Sequence, residues 1–157
     1  MERVTHFLTG ACLGRAGLNR KTGLATLTLT LATEAPDIDF LSFIGGSAAN
    51  LEHHRGITHT LLGAPFVGAL TLGIVYGIYR LMLWKQWKLL YLYAVFGCLV
   101  HILMDFLNNY GVRPFAPFYP RWFSWDVVFI VDPLILTFLF FGLVIPALFS
   151  LVTEEIG

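Results

Sequence analysis

The stretch Leu89–Leu107, which reads LLYLYAVFGCLVHILMDFL, decides the fold class of this chain. It is long and apolar enough for a transmembrane helix, which needs about 20 such residues. Only His101 and Asp105 interrupt it with strongly polar groups, and their spacing of four residues puts both side chains on one helix face. A carboxylate at the centre of a bilayer costs about 2.5–3.5 kcal/mol, so a partner must offset this cost. A metal ion is the natural partner for an imidazole and a carboxylate one turn apart.

The composition predicts an integral membrane protein. Of the 157 residues, 57% are hydrophobic and 13% are charged, whereas a soluble domain carries about 25% charged residues. The length allows one compact domain, which is expected to span residues 1–157. The net charge is zero and no run of basic residues occurs, so the chain lacks the electrostatic footprint of a nucleic-acid-binding protein. The lipid bilayer is therefore the expected partner, and the sequence leaves the oligomeric state open.

Two further uncharged runs, Thr60–Tyr79 and Pro133–Thr153, are long enough to cross a membrane. Two shorter segments precede them, Phe7–Gly14 and Thr22–Thr33. The second of these alternates as a strand would, but an isolated strand cannot satisfy its backbone in lipid, so a helix is predicted. The expected architecture is an all-α, polytopic helical membrane bundle with three long spans and a shorter N-terminal helical hairpin, which turns around Asn19–Lys21.

The basic residues indicate how the bundle is oriented in the membrane. Six of the ten lie in two turns, the turn of the hairpin and the connection between the first two long spans. These residues are Arg15, Arg20, Lys21, Arg80, Lys85 and Lys88. The positive-inside rule places both turns in the cytoplasm. The opposite end, which holds most acidic residues and all five histidines, is then expected at the exterior or periplasmic leaflet.

Imidazole and carboxylate side chains gather at that end of the predicted bundle. They are His6, Asp37, Asp39, His53, His54, His59, His101, Asp105 and Asp132. This donor set suits zinc, manganese or iron, and His and Asp ligands with an open position are typical of catalytic zinc. Because the candidates outnumber the four ligands of one tetrahedral zinc ion, either two or three ions bind or some of these residues orient the ligands.

Several of these residues also have a simpler structural interpretation. His101 and Asp105 would form a buried hydrogen-bonded pair without a metal. Asp37 and Asp39 follow a proline, at positions where Asp commonly caps a helix. His53 is interpreted as a surface histidine, because its side chain points away from that of its neighbour in the chain.

Three further polar residues are candidates for other roles. Arg55 is flanked by candidate ligands; its guanidinium suits a phosphate or carboxylate oxygen, or it extends to lipid headgroups. Asn108 lies on the same helix stripe as His101, where it would bind substrate, orient a ligand or cap the helix end. Asp132 directly precedes Pro133. Two roles are open for it: a functional acid within the membrane or the cap of the following helix.

The polar motifs follow one another in a recognisable order along most of the chain. They are His6, Pro36–Asp39, His54–Thr60, His101–Asp105, Asn108–Gly111 and Pro114-Phe115, followed by Trp125-Asp126 and Val131–Pro133. This order resembles the YdjM-like family of bacterial and archaeal inner-membrane proteins, which are regarded as metal-dependent hydrolases. The resemblance implies a helical, metal-dependent enzyme in the bacterial or archaeal cytoplasmic membrane.

The same order is similar, more distantly, to zinc-dependent phospholipase C enzymes, which are helical and bind three zinc ions through His and Asp. That resemblance implies zinc as the metal and a phosphoester as the scissile group. The metal ligands that it implies are His6, Asp39, His54 or His59 or both, His101 and Asp105.

The expected function is a membrane-bound metal-dependent hydrolase acting on a phosphoester of a lipid or membrane-adjacent substrate. A metal-activated water would attack the ester, Asp37 or Asp39 would take its proton if not a ligand, and Arg55 would neutralise developing charge. Two alternatives are a divalent-cation or proton transporter and a metal-stabilised structural membrane protein. A transporter would carry polar residues through the full depth of the bundle, yet Phe66–Tyr79 and Leu134–Leu151 have no ionisable group apart from tyrosine.

Overall fold

The structure is a computed structural model that describes residues 1–45, 55–79 and 86–156. This part of the chain contains five α-helices: α1 (Arg3–Arg15), α2 (Ala25–Glu34), α3 (Gly63–Ile78), α4 (Trp87–Leu107) and α5 (Pro133–Ile156). In addition, 3₁₀ segments span Leu18–Arg20, Ala35–Gly45 and Ile57–His59. The described residues form no β-strand, only two isolated bridges in the connection between α4 and α5. The predicted all-helical class is therefore confirmed.

Two helices are long and apolar enough to cross a membrane, α4 and the Pro133–Ser150 part of α5. Large apolar side chains of α5, among them Leu134 and Phe138, are exposed, as contact with lipid requires. α3 has 16 residues, which is short of the about 20 that a span needs. The predicted third long span is thus not confirmed among the described residues. The uncharged run begins with a turn instead of a helix, in which the Thr60 hydroxyl accepts a hydrogen bond from the Gly63 amide at 2.8 Å.

The N-terminal segments fold as the predicted helical hairpin. α1 and α2 are joined through the 3₁₀ turn Leu18–Arg20 and pack directly on each other. The Thr-rich α2 is helical because its hydroxyls return to backbone carbonyls, as when Thr33 Oγ1 donates to Leu29 O at 3.0 Å. Gly10 of α1 permits the close contact, since a Cβ at this position would lie 2.6 Å from Cα of Thr30.

Gly10→Ala is expected to destabilise the hairpin. The new methyl group would meet backbone atoms of α2, and overpacking of this kind typically costs about 1–3 kcal/mol. The matched control is Gly73→Ala in α3, where no atom lies within 4 Å of the added Cβ and helix propensity favours Ala by about 1 kcal/mol. Thermal unfolding of both purified variants in detergent checks this. Equal melting temperatures would contradict the close approach of α1 and α2.

The helices bring the candidate ligands to one end of the bundle. α1 begins at this end, α2 ends there, and α4 ends there, so ion pairs link His6 with Asp105 and His59 with Asp37. Lys88 lies at the opposite end of α4 from this region, and α4 has 21 residues and is about 30 Å long. The predicted separation of basic turns from the histidine and aspartate end is thus seen among the described residues, whereas Arg80 and Lys85 lie outside them.

Candidate metal centre

The His101 ring is fully buried and held in one orientation. Its Nδ1 donates a hydrogen bond to the carbonyl oxygen of Thr33 at 2.7 Å, at the last turn of α2. Because the proton is needed at Nδ1, the lone pair of the neutral ring is at Nε2. A backbone carbonyl that fixes a histidine through its second nitrogen is the usual support of a metal-ligating imidazole.

Three other ligand atoms face Nε2 of His101. His59 Nε2 lies 3.0 Å away, Asp37 Oδ1 lies 3.6 Å away and Asp105 Oδ2 lies 3.7 Å away. His59 Nε2 is also 3.3 Å from Asp37 Oδ1 and 3.6 Å from Asp105 Oδ2. Two ligands of a tetrahedral zinc ion at 2.0–2.1 Å are roughly 3.3 Å apart, so these separations bracket the geometry that a single zinc ion requires.

The two nitrogens in particular need a cation or a proton between them. On the far side of the His59 ring, Nδ1 has two polar neighbours, Thr58 Oγ1 at 3.1 Å and Asp39 Oδ2 at 3.4 Å, so a proton at Nδ1 would have an acceptor whenever a metal ion takes the lone pair of Nε2. His101 has the same arrangement, because its Nδ1 donates to a carbonyl. At 3.0 Å the two Nε2 atoms either share a proton in a hydrogen bond or bind the same cation, since two buried lone pairs that face each other repel. The donor set therefore fits a divalent metal ion.

A second, overlapping group of possible ligands consists of His6, Asp37 and His101. The His6 ring stacks on that of His101 with centroids 3.8 Å apart, and its Nε2 lies 3.3 Å from Asp105 Oδ1 and 3.0 Å from the backbone nitrogen of Met1. Both groups include His101, whose single lone pair at Nε2 binds one ion at a time. The sequence left open whether two or three ions bind or some candidates only orient the ligands; the described residues accommodate one ion with His101 as a ligand.

Asn108 orients one of the carboxylates. Its Nδ2 donates to Asp105 Oδ1 at 3.1 Å, and its own Oδ1 accepts from the amides of Tyr110 and Gly111. The side chain therefore both caps the chain after α4 and fixes Asp105, two of the roles that the sequence left open. It is fully buried.

Arg55 is buried against the same carboxylate. Its Nη2 lies 2.8 Å from Asp105 Oδ2, its Nη1 donates to the Gly111 carbonyl at 2.5 Å, and its Cζ lies 4.6 Å from the centroid of the Tyr110 ring. Burial lowers the pKa of Arg55 to about 10, so the guanidinium stays charged at neutral pH. With 5% of its surface exposed, Arg55 does not extend to lipid headgroups; its charge compensates Asp105.

Asp37 and Asp39 lie on opposite sides of His59. Asp37 is near Nε2, on the side of the other ligand atoms, whereas Asp39 Oδ2 accepts from the amide of Arg55 at 2.6 Å and lies near Nδ1. The sequence left open which of the two is a ligand and which takes a proton; the structure places Asp37, and not Asp39, on the side of the other ligand atoms. Burial acts to raise the pKa of Asp37, but hydrogen bonding by His59 and the proximity of His101 outweigh it and hold this pKa below its usual value.

The remaining predicted site residues fall elsewhere. His53 and His54 lie outside the described residues, so the structure does not place them. Asp132 caps α5, where its Oδ1 accepts from the amides of Leu134 at 3.0 Å and Ile135 at 3.2 Å. Thr33 could not be predicted from the sequence, because it contributes a backbone carbonyl that every residue type possesses.

A polar cavity of about 260 Å³ adjoins the centre, with Asp37, Asp39 and Arg55 among its lining residues. The side chain of Asp37 is 16% exposed, compared with 1% for Asp105. Water and a small polar group therefore reach the centre from the Asp37 side.

Comparison with known proteins supports a membrane location. A family model described as YdjM inner membrane protein matches residues 1–156 of the chain. The chain is also similar to the uncharacterized protein YfhP of Bacillus subtilis (strain 168), with 27% identity over 143 residues. That match covers 86% of this chain and 43% of YfhP, so the chain spans less than half the length of this relative. No solved structure matches the chain.

Proposed function

The chain belongs to the YdjM inner membrane protein family, and we propose that it is a metal-dependent hydrolase that cleaves a phosphoester of a lipid or membrane-adjacent substrate. The observation that carries this proposal is the convergence of two imidazole nitrogens and two carboxylate oxygens, from His59, His101, Asp37 and Asp105, beside a polar cavity. A structural zinc site in a protein is usually closed by thiolates, whereas a centre of His and Asp with access from one side favours catalysis.

His59, His101 and Asp105 are the proposed ligands of one metal ion, which leaves its fourth position open on the side of Asp37; His6 belongs to the overlapping alternative group with Asp37 and His101. Two imidazoles with carboxylates favour zinc, and the same set also suits manganese or iron. A bound zinc ion would lower the pKa of its water towards neutrality and polarise a phosphoryl oxygen.

The protein's own residues supply orientation and charge balance. The Thr33 carbonyl fixes the ring of His101, and Asp39 fixes that of His59. Asn108 and Arg55 hold Asp105 from two sides, so we assign them as positioning residues and not as groups that contact the substrate. Asp37 is the more accessible of the two carboxylates that face the metal position, which makes it the residue able to accept a proton from the cavity.

The position of the polar centre at one end of the bundle favours an enzyme over a transporter. In α3 and in the Pro133–Ser150 part of α5, no side chain is ionisable apart from that of Tyr76. A transport path would need polar groups through the whole bundle. From the placement of the basic residues, we propose that the site faces the exterior or periplasmic leaflet of a bacterial or archaeal cytoplasmic membrane.

The proposal is tested by purifying the protein into nanodiscs, measuring bound metal and assaying hydrolysis of phospholipids and isoprenoid phosphates. We expect metal-dependent turnover that falls by at least about 100-fold in Asp37→Asn, as for loss of a general base, and is unchanged in the exposed control Asp126→Asn. Loss of metal in Asp37→Asn would assign it as a ligand. Bound metal without turnover of any substrate would contradict the hydrolase, and metal flux in proteoliposomes would replace it with a transporter.

A further inference from the structure

Two cavities meet at the candidate metal centre. The first is the polar cavity beside Asp37, Asp39 and Arg55. The second is an apolar groove of about 280 Å³ between α2, the Ala35–Gly45 segment and α3. Arg3, Asp37 and Phe40 line both cavities, so the groove and the polar cavity share an edge at Asp37, beside the proposed metal position.

The groove leads away from the centre along α3. Its walls include Leu31 of α2, Ile38, and Leu70 and Ile74 of α3. Leu70 and Ile74 lie about 10 and 16 Å along the helix from Gly63, which begins α3 near the centre. Both are about half exposed, so the groove opens on the outer surface of the bundle, where lipid would contact it.

Glu34 is the carboxyl group that lines the groove beyond its shared edge. Burial, aided by the charge of nearby Asp37, raises the pKa of Glu34 to about 7. Near neutral pH a large share of this side chain is therefore uncharged, and it does not exclude a hydrocarbon chain.

Arg3 supplies a cation where the two cavities meet. Its guanidinium carbon lies 4.3 Å from the centroid of the Phe40 ring, which holds the charged group over the shared edge. Arg3 is exposed, whereas the Nη atoms of Arg55 are already bound to Asp105 and Gly111. Arg3 is thus better placed than Arg55 to meet an anionic group that enters from outside. The sequence alone did not single out this residue.

We propose that the two cavities form one bipartite site for a single-chain phosphate amphiphile. Its phosphate occupies the polar cavity beside the metal centre, where the guanidinium of Arg3 donates to one of the non-bridging phosphate oxygens. Its hydrocarbon chain lies in the groove against Leu70 and Ile74. This inference deepens the proposed function and rests on it, since it names the substrate class of the same centre.

The test uses the zinc-loaded protein in nanodiscs with ethyl-, octyl- and hexadecylphosphonate, which bind without being hydrolysed. Ile74→Trp fills the groove, and Ile78→Trp is the matched control, one turn further along α3 and 63% exposed. We expect Ile74→Trp to weaken octyl- and hexadecylphosphonate about tenfold, because two or more methylene groups lose their contacts, and to leave ethylphosphonate unchanged. Arg3→Gln is expected to weaken all three to a similar extent, since it removes a contact with the shared phosphonate group.

The same variants are then assayed for turnover of the matching alkyl phosphoesters, so that the two proposals fail separately. Chain-length-dependent binding without turnover would support the bipartite site and contradict the hydrolase. If Ile74→Trp reduces turnover or binding equally for all chain lengths, the bipartite site is overturned and the hydrolase proposal is not affected. Tighter binding of a two-chain phosphatidyl analogue than of hexadecylphosphonate would overturn the single-chain assignment, and absence of any phosphonate binding would overturn the site.

Discussion

His101→Ala is expected to lose the bound metal, with metal content falling from about one ion per chain to less than about a tenth. Even a change in the residues that only support a ligand typically costs 10–100-fold in metal affinity, and His101 is itself a proposed ligand. Its Nε2 belongs to both groups of possible ligands, so no second arrangement of the described residues replaces it. Metal analysis of the purified protein by inductively coupled plasma mass spectrometry measures the content directly.

The matched control for this prediction is Cys98→Ala. Cys98 lies on α4 one turn before His101 and is fully buried. Like His101 it faces α2, and its Sγ lies 3.4 Å from the Ala32 carbonyl. Cys98→Ala disturbs the α2–α4 contact without removing a proposed ligand, and it should keep its metal. If His101→Ala is folded, as judged by circular dichroism, and retains metal at the wild-type level, the ligand assignment is contradicted.

Arg55→Met is expected to lower the free energy of unfolding by about 1–3 kcal/mol, because one of the two cations that pair with a buried carboxylate is lost. The carboxylate is that of Asp105, whose side chain is 1% exposed and whose other cationic partner is the N-terminal ammonium of Met1. Arg55 also donates to the carbonyl of Gly111, which loses that partner. Arg55→Lys should recover only part of this stability, since a point charge does not reproduce the fork of the guanidinium.

Denaturant unfolding in detergent measures the effect, with the exposed Arg121→Met as a control expected within about 0.5 kcal/mol of wild type. The decrease in the free energy of unfolding of Arg55→Met should be larger after treatment with a chelator, because a bound cation would otherwise compensate part of the charge of Asp105. An Arg55→Met protein as stable as Arg121→Met, with and without chelator, would show that the buried ion pair does not contribute as described.

The apolar runs were sufficient to predict α4, α5 and the N-terminal hairpin, because a long uncharged segment in lipid has no alternative to helix. They were not sufficient to count the spans. The run that starts at Thr60 includes a turn closed by the hydroxyl of this residue, and an uncharged turn cannot be told from a helix by composition.

The ligand set could be predicted where its spacing is local, and less well where it depends on tertiary contacts. His101 and Asp105 share a helix face by their separation of four residues, and the structure places both at the centre. The sides taken by Asp37 and Asp39 depend on the conformation of the Ala35–Gly45 segment, which the sequence pattern did not specify. The pairing of Arg55 with Asp105 joins residues far apart in the chain and required the folded structure.

The geometry of the ligand atoms predicts that one metal ion is held between α4 and the segments that carry Asp37 and His59. Anomalous scattering from crystals of the purified protein, recorded on both sides of the zinc absorption edge, tests it most directly. We predict one strong peak within about 2.0–2.2 Å of Nε2 of His59, Nε2 of His101 and a carboxylate oxygen of Asp105. A peak elsewhere in the chain, or no peak between these side chains in a protein that carries metal in solution, would contradict the account.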